Sequence, residues 1–174
     1  MSCLVQSSVQ PSGCMATSEN DTIGTVRIER SIDIAASPER VWQIVSEPGW
    51  WINGGTIRPH RIEDAGDGTS IVHDEEHGAF RIRTERLDPP RYASFRWLGR
   101  ADEKGAGTLT EFWVEDAGDG TDGVTLRVVE SGLENVPESE REAYLRDNTQ
   151  GWKTELAAAR TTAERGRERN VRTR

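Results

Sequence analysis

A chain that runs through short alternating segments and then ends in one long helical stretch has few ways to bury itself. Here that stretch extends from about Pro137 to Arg165, and its stripe recurs at intervals of three and four: Tyr144, Leu145, Asn148 or Thr149, Trp152, Leu156, Ala159 and Ala163. A single helix with a single apolar stripe must lay that stripe on a sheet, and a sheet curved around a helix commonly leaves a cavity between them. Gly151 sits within the stretch and costs up to about 1 kcal/mol relative to Ala, which points to close packing or a bend there.

The segments before it read as strands. Val26, Ile28, Ile32 and Ile34 share one face, while Arg27, Glu29, Ser31 and Asp33 share the other, as a half-buried strand requires. Ser37 is then a good helix N-cap with Pro38 at the first helical position, and Val41, Trp42, Ile44 and Val45 supply an apolar side before Pro48-Gly49 ends the helix. Trp50, Trp51 and Ile52 are expected on a second short helical turn. Six further strands follow, over Ile57 to Asp64, Thr69 to Glu76, Ala79 to Leu87, Tyr92 to Gly99, Thr108 to Asp116 and Gly123 to Ser131, each bounded by turn-formers. Glu-Asp-Ala-Gly-Asp-Gly-Thr occurs twice, at Glu63 to Thr69 and Glu115 to Thr121. Its Asp and Gly residues suit tight turns, and it lacks the longer oxygen ladder, ending in a bidentate Glu, of a calcium loop.

Composition removes several function classes. With 174 residues the chain is one domain's worth, and its formal net charge of -8, from 30 acidic and 22 basic side chains, would repel a nucleic-acid backbone. No apolar run approaches the roughly 20 residues that a membrane-spanning helix needs. Residues 1–24 read as a polar, disordered leader without the basic start and apolar core of a signal peptide, and Met15 is a second candidate for the first residue. Cys3 and Cys14, the only cysteines, both lie in that leader, which fits a reducing, cytoplasmic setting. The domain is expected over 25–165, followed by a polar, Arg-rich tail at 166–174 that frays.

Residues 25 to 163 resemble the Bet v 1-like, START-related (SRPBCC) superfamily, and within it the branch similar to the C-terminal domain of the activator of Hsp90 ATPase. The resemblance is carried by Ile32-Asp33-Ile34-Ala35-Ala36-Ser37-Pro38-Glu39-Arg40-Val41-Trp42, by Pro48 with Trp50-Trp51, and by Leu87-Asp88-Pro89-Pro90-Arg91 leading to Phe95-Arg96-Trp97. Thr121 to Leu126, Glu130-Ser131-Gly132-Leu133, and Gly151-Trp152 with Leu156 complete it. It implies an α+β helix-grip fold: a seven-stranded antiparallel sheet wrapped around the long C-terminal helix, two short helices after strand 1, and a pocket between. It also implies a bacterial protein of a branch whose functions are mostly unassigned, among relatives that bind lipids, hormones or polyketides and a few that catalyse cyclisation. Eukaryotic co-chaperone relatives pair this domain with an N-terminal one, which the short leader does not supply.

Alternation and helical spacing nominate the pocket wall: Ile32, Phe80, Ile82, Thr84, Phe95, Trp97, Phe112, Val114, Leu126 and Val128 from the strands, facing Tyr144, Asn148 and Trp152. Trp51 joins the candidates from the short helices that the resemblance implies at one end. The same side chains would serve equally as core. Arg30 shares the inward register of its strand and needs a partner. If the first and last strands pair, as the resemblance implies, Glu130 lies diagonally across from it, as a rim ion pair; otherwise Arg30 anchors a ligand anion. Glu130 in an apolar cavity could also act as acid or base. His73 and His77 stand about 13 Å apart along one strand at roughly 3.3 Å per residue, too far to share a metal ion, and His60 is the third imidazole. No nucleophile elbow, phosphate-cradling loop or dinucleotide fingerprint is present, so no cofactor is implied. Trp113 faces opposite to Phe112, toward the outer sheet surface, where a partner or a second copy of the chain could dock. The leading expectation is binding of a small apolar or amphipathic molecule between sheet and helix. A cyclase or dehydratase using the same cavity, and a co-chaperone-like interaction module, are the alternatives.

Overall fold

The computed structural model describes residues 26–100, 107–118 and 122–171, with side chains described as far as Arg165. The expected leader at 1–24 lies outside the described residues. Strand β1 (Ile28–Ile34) leads into helix α1 (Pro38–Val45), followed by β2 (Arg61–Asp64), β3 (Thr69–Asp74), β4 (Gly78–Asp88), β5 (Tyr92–Arg100), β6 (Leu109–Asp116), β7 (Val124–Ser131), a 3-10 turn at Leu133–Asn135 and helix α2 (Glu138–Val171). The strands form a single antiparallel sheet in the order β1-β7-β6-β5-β4-β3-β2, so the first and last strands pair.

Most expected boundaries fall within a residue or two of the observed ones, and three differ for physical reasons. The strand expected from Ile57 begins only at Arg61, because His60 turns its ring inward to the Ile52 carbonyl (2.8 Å from Nε2) instead of extending the ladder. The second short helix after β1 is absent. Residues 46–51 form consecutive turns instead, with Trp50 N–H bonding to the Glu47 carbonyl and Ile52 N–H to that of Gly49. At the other end α2 continues past Gly166 to Val171, where a frayed tail is expected; the Arg and Glu residues there favour helix, and one Gly costs at most about 1 kcal/mol.

The caps behave as their chemistry requires. Ser37 Oγ accepts from Arg40 N–H (3.4 Å) at the start of α1, and Pro38 occupies the first turn. In the first copy of the repeated heptapeptide, Gly66, Asp67 and Gly68 all take positive φ, and Asp64 Oδ1 accepts from Gly66 N–H (2.8 Å). Residues 119–121 of the second copy lie outside the described residues.

The core fills the space between the concave sheet face, α1 and α2. Ile34, Val72, Ile82, Phe95, Phe112, Val114, Leu126 and Val128 from the sheet, with Val41 and Val45 from α1 and Trp152, Leu156, Ala159 and Ala163 from α2, are all buried. The α2 residues include much of the stripe read from spacing alone. Two hydrogen bonds tie α1 and the end of β1 to the far end of α2: Arg40 Nε to the Ala163 carbonyl (2.7 Å), and Ala35 N–H to Glu164 Oε1 (2.9 Å). On the convex face Trp113 lies outward as alternation requires, yet it is half-buried. The Arg127 guanidinium stands 4.1 Å from its ring centroid and Tyr92 packs against it edge-on at 5.2 Å.

Candidate functional site

Between β4, β5, the lead into β6, β7 and α2 lies a cavity of about 340 Å³. Trp51 and Trp152 line it and pack on a buried aromatic cluster. Trp51 contacts Phe95 (5.6 Å between centroids), Phe112 (5.5 Å) and Trp152 (6.0 Å), while Phe80 and Trp97, 4.8 Å apart, form one side. Phe112 and Trp152 meet at 5.8 Å and so close the deep end, and the remaining space lies beyond them.

One buried carboxylate organises the polar end. Glu130, on β7, is only 3% exposed. Its Oε1 accepts from Tyr144 Oη (2.6 Å) and Thr108 Oγ1 (3.0 Å), its Oε2 from Trp152 Nε1 (2.8 Å), and Asn148 Nδ2 lies 3.3 Å from both. Tyr144, Asn148 and Trp152 follow one another at four-residue intervals along α2, so a single helix face delivers three donors to one acceptor. Burial first, and the Glu130 charge second, push the Tyr144 hydroxyl well above the ordinary tyrosine range, which keeps it a neutral donor.

Glu155, three residues beyond Trp152 on the same face, is the second carboxylate of the cavity and is 7% exposed. Its Oε1 accepts from Gly55 N–H (3.2 Å), while its Oε2 has no hydrogen-bond partner among the described residues. Desolvation raises its pKa to about 7, against the smaller opposing pulls of the Gly55 hydrogen bond, of His77 and of the Asn53 side chain. Gly55 lets this loop approach α2. Its φ is +83°, and a Cβ there would come 2.8 Å from Thr154 Cγ2. Asn53 Oδ1 also accepts from Gly55 N–H (3.0 Å), and its Nδ2 donates to the Trp50 carbonyl (2.7 Å), so the loop is held at both ends.

At the rim His77 and His60 converge on Asp74. His77 Nδ1 lies 2.7 Å from Asp74 Oδ1, which also accepts the backbone N–H groups of Glu76 (3.0 Å) and His77 (2.7 Å), and His60 Nε2 is 3.3 Å from Oδ2. Burial alone would raise the Asp74 pKa, but the hydrogen bonds from His77 and Glu76 outweigh it and hold the carboxyl at about 2. This fixes the His77 proton on Nδ1 and turns Nε2 into an acceptor when the ring is neutral. Among the described residues no group of three or more His, Cys, Asp or Glu side chains is arranged to hold a metal ion.

Of the residues nominated from sequence, the structure brings Trp51, Phe80, Trp97, Glu130, Tyr144, Asn148 and Trp152 to the cavity wall. Ile82, Phe95, Phe112, Leu126 and Val128 are fully buried core instead, because the sheet curls tightly enough for α2 and Trp51 to reach them. Ile32 packs against the core from β1. Arg30 is not at the cavity. The strand register does place it diagonal to Glu130, but the four neutral donors take that carboxylate, and Arg30 Nη1 turns back to the Glu29 carbonyl (2.7 Å). Sequence reasoning missed Asn53, His77, Thr108, Thr110 and Glu155. Parity with Phe112 and Val114 could have found the two threonines, and the 144-148-152-155 spacing could have found Glu155. Asn53 and His77 sit in turns, where no periodicity points the side chain.

Gly151 also lines the cavity, and a Cβ built on it meets nothing within 4 Å. Of the close packing or bend expected at this glycine, the close packing is absent; it borders open space.

A curled antiparallel sheet gripping one long helix, with an aromatic cavity between them, defines a helix-grip protein of the SRPBCC type. The chain belongs to the family of activator of Hsp90 ATPase homolog 1-like proteins, whose family model matches residues 35–163. Among solved structures it is similar to the Aha1 dimer from Colwellia psychrerythraea (21% identity, 80% of this chain and 96% of that one, TM-score 0.57). It is also similar to XoxI from Bacillus cereus (15%, 79% and 94%, TM-score 0.62) and to SSP2350 from Staphylococcus saprophyticus (20%, 81% and 93%, TM-score 0.58). At these identities the likeness is one of fold. Comparison with curated proteins gives no match. No helix among the described residues is long and apolar enough to cross a membrane.

Proposed function

We propose that this protein binds a small amphipathic molecule in the cavity between sheet and α2. The observation that carries the reading is Gly151: a glycine in the middle of a long helix, facing space that a side chain could fill. Ala there would favour the helix by up to about 1 kcal/mol, so Gly keeps the space open at a cost in helix propensity, as a guest site would use. The volume lies at the small end of the roughly 300–1,000 Å³ of ligand pockets, and its apolar walls with a few convergent polar groups match their usual make-up.

Two substitutions separate the helix from the cavity. Gly151→Ala should raise stability by up to about 1 kcal/mol in denaturant titration. Gly151→Leu should keep the fold but block the guest. Native mass spectrometry of the protein purified from its own host should reveal a co-purifying small molecule that is lost from the Leu variant. Equal retention of that molecule by the Leu variant, or a protein always recovered free of small molecules, would count against the reading.

Acid-base catalysis in the same cavity is the second reading, and two observations favour moving it from Glu130 to other residues. Both Glu130 oxygens are engaged by donors, whereas Glu155 has an open oxygen and a pKa near neutrality, and Asp74 orients His77. Turnover of a cyclising or dehydrating substrate that stops in Glu155→Gln while binding persists would establish it. An interaction-module reading has less support at the outer face, since Trp113 there is half-buried, beneath Arg127 and beside Tyr92.

A further inference from the structure

The chemical class of the guest follows from which polar capacity the cavity leaves open, an inference that rests on the binding reading above. The side-chain donors around Glu130 are already committed. Tyr144, Thr108, Asn148 and Trp152 all direct theirs to Glu130, Asn53 gives Nδ2 to the Trp50 carbonyl, and His77 gives Nδ1–H to Asp74. A buried acceptor is left open: Glu155 Oε2 is unpartnered among the described residues, on a residue that lines the cavity. A second carboxylate, Glu130, stands in the same wall, and no Lys or Arg is among the described lining residues. A guest carboxylate or phosphate would therefore meet like charge from two carboxylates and no Lys or Arg of the described lining, so its desolvation would be poorly compensated.

The rest of the wall is aromatic. Trp51, Phe80, Trp97 and Trp152 present ring faces and edges around the space, and ring faces attract cations. The rim already displays such a contact, with the Arg100 guanidinium 5.6 Å from the Phe80 centroid. We propose that the cavity selects an organic cation, a small protonated or quaternary amine on an apolar body, with its charge directed to Glu155 and its body against the aromatic wall. Aromatic cages with nearby carboxylates recognise such ligands because the rings exclude water without removing electrostatic stabilisation.

The test uses the full chain and three probes that share a phenyl ring and a four-carbon arm: 4-phenylbutylamine, 4-phenylbutanol and 4-phenylbutyrate. Calorimetric titration at mildly alkaline pH, where Glu155 is ionised, should rank amine above alcohol by about tenfold, with the carboxylate weakest. In Glu155→Gln, checked for folding by circular dichroism, the ratio of amine to alcohol affinity should collapse toward one. An alcohol or carboxylate that binds as tightly as the amine overturns the cation inference and leaves the cavity reading standing. Absence of binding by all three overturns both. The ranking on the native chain decides the matter even if the variant does not fold, and an unchanged ratio in a folded variant removes Glu155 from the role.

Discussion

Glu130→Ala should lower stability by about 3–5 kcal/mol, the largest effect of any single substitution at this site. The reason is the number of donors it would strand. Trp152 Nε1–H and the Thr108 hydroxyl are buried, and Tyr144 and Asn148 are part-buried, so none can replace the carboxylate with bulk water at no cost. Three of these donors belong to α2 and the acceptor to β7, so the lost bonds are those that hold the helix in its grip on the sheet. Glu130→Gln should cost less, roughly 1–3 kcal/mol, since it keeps one acceptor oxygen but turns an amide N–H₂ toward groups that already donate. Chemical denaturation with an unchanged m-value would measure both. A loss below about 1 kcal/mol for the Ala variant would contradict the view of Glu130 as the anchor of α2.

A second large effect should appear as a pH dependence. The unfolded chain ionises Glu155 near its ordinary value of 4.5, whereas the folded protein holds the proton until about pH 7. Between those values the native state binds the extra proton, so stability should fall as pH rises through the interval, by up to roughly 3 kcal/mol. Glu155→Gln keeps an oxygen for the Gly55 N–H and removes the titration. The variant should match the native protein in mild acid and exceed it at pH 8, with a midpoint higher by about 6–10 °C. Superimposable thermal profiles for both proteins across that range would show that the carboxyl is not desolvated as its surroundings indicate. Those surroundings are Asn53 and Gly55 of the loop, His77 of the β3–β4 turn, and Glu130, the other carboxylate of the lining.

The two carboxylates play different roles because their partners differ. Glu130 is saturated by neutral donors and acts as a structural centre. Glu155 is left half satisfied and so is free to respond to pH or to a guest. A structural centre tolerates little change, whereas a half-satisfied group can gain from a ligand.

Alternation in β1, β6 and β7, the Ser37-Pro38 cap and the three-and-four spacing of α2 were legible from residues alone. Those features are set by local geometry: a strand repeats every two residues, a helix every 3.6, and a cap answers the unpaired N–H groups of its own first turn. The family resemblance then supplied the order in which the elements assemble. Six of the nominated wall residues, Phe80, Trp97, Glu130, Tyr144, Asn148 and Trp152, reach the cavity for the same reason, since periodicity assigns a face, whereas Trp51 arrives from a turn.

Periodicity does not assign depth. Phe95 and Phe112 have the same inward register as Trp97 and Thr110, yet the curl of the sheet and the arrival of Trp51 bury the first pair as core and leave the second pair on the wall. Arg30 likewise had the right face and the diagonal position, but competition for Glu130 among Thr108, Tyr144, Asn148 and Trp152 was invisible along the chain. Asn53 and His77 come from turns separated from α2 by many residues. By itself, then, the sequence determined the elements, their faces and the stripe of α2, because those depend on neighbours a few residues away. Which carboxylate is satisfied, which is left open, and where space remains beside Gly151 were decided only by tertiary packing, because hydrogen-bond partners and voids are properties of segments that meet from far apart in the chain.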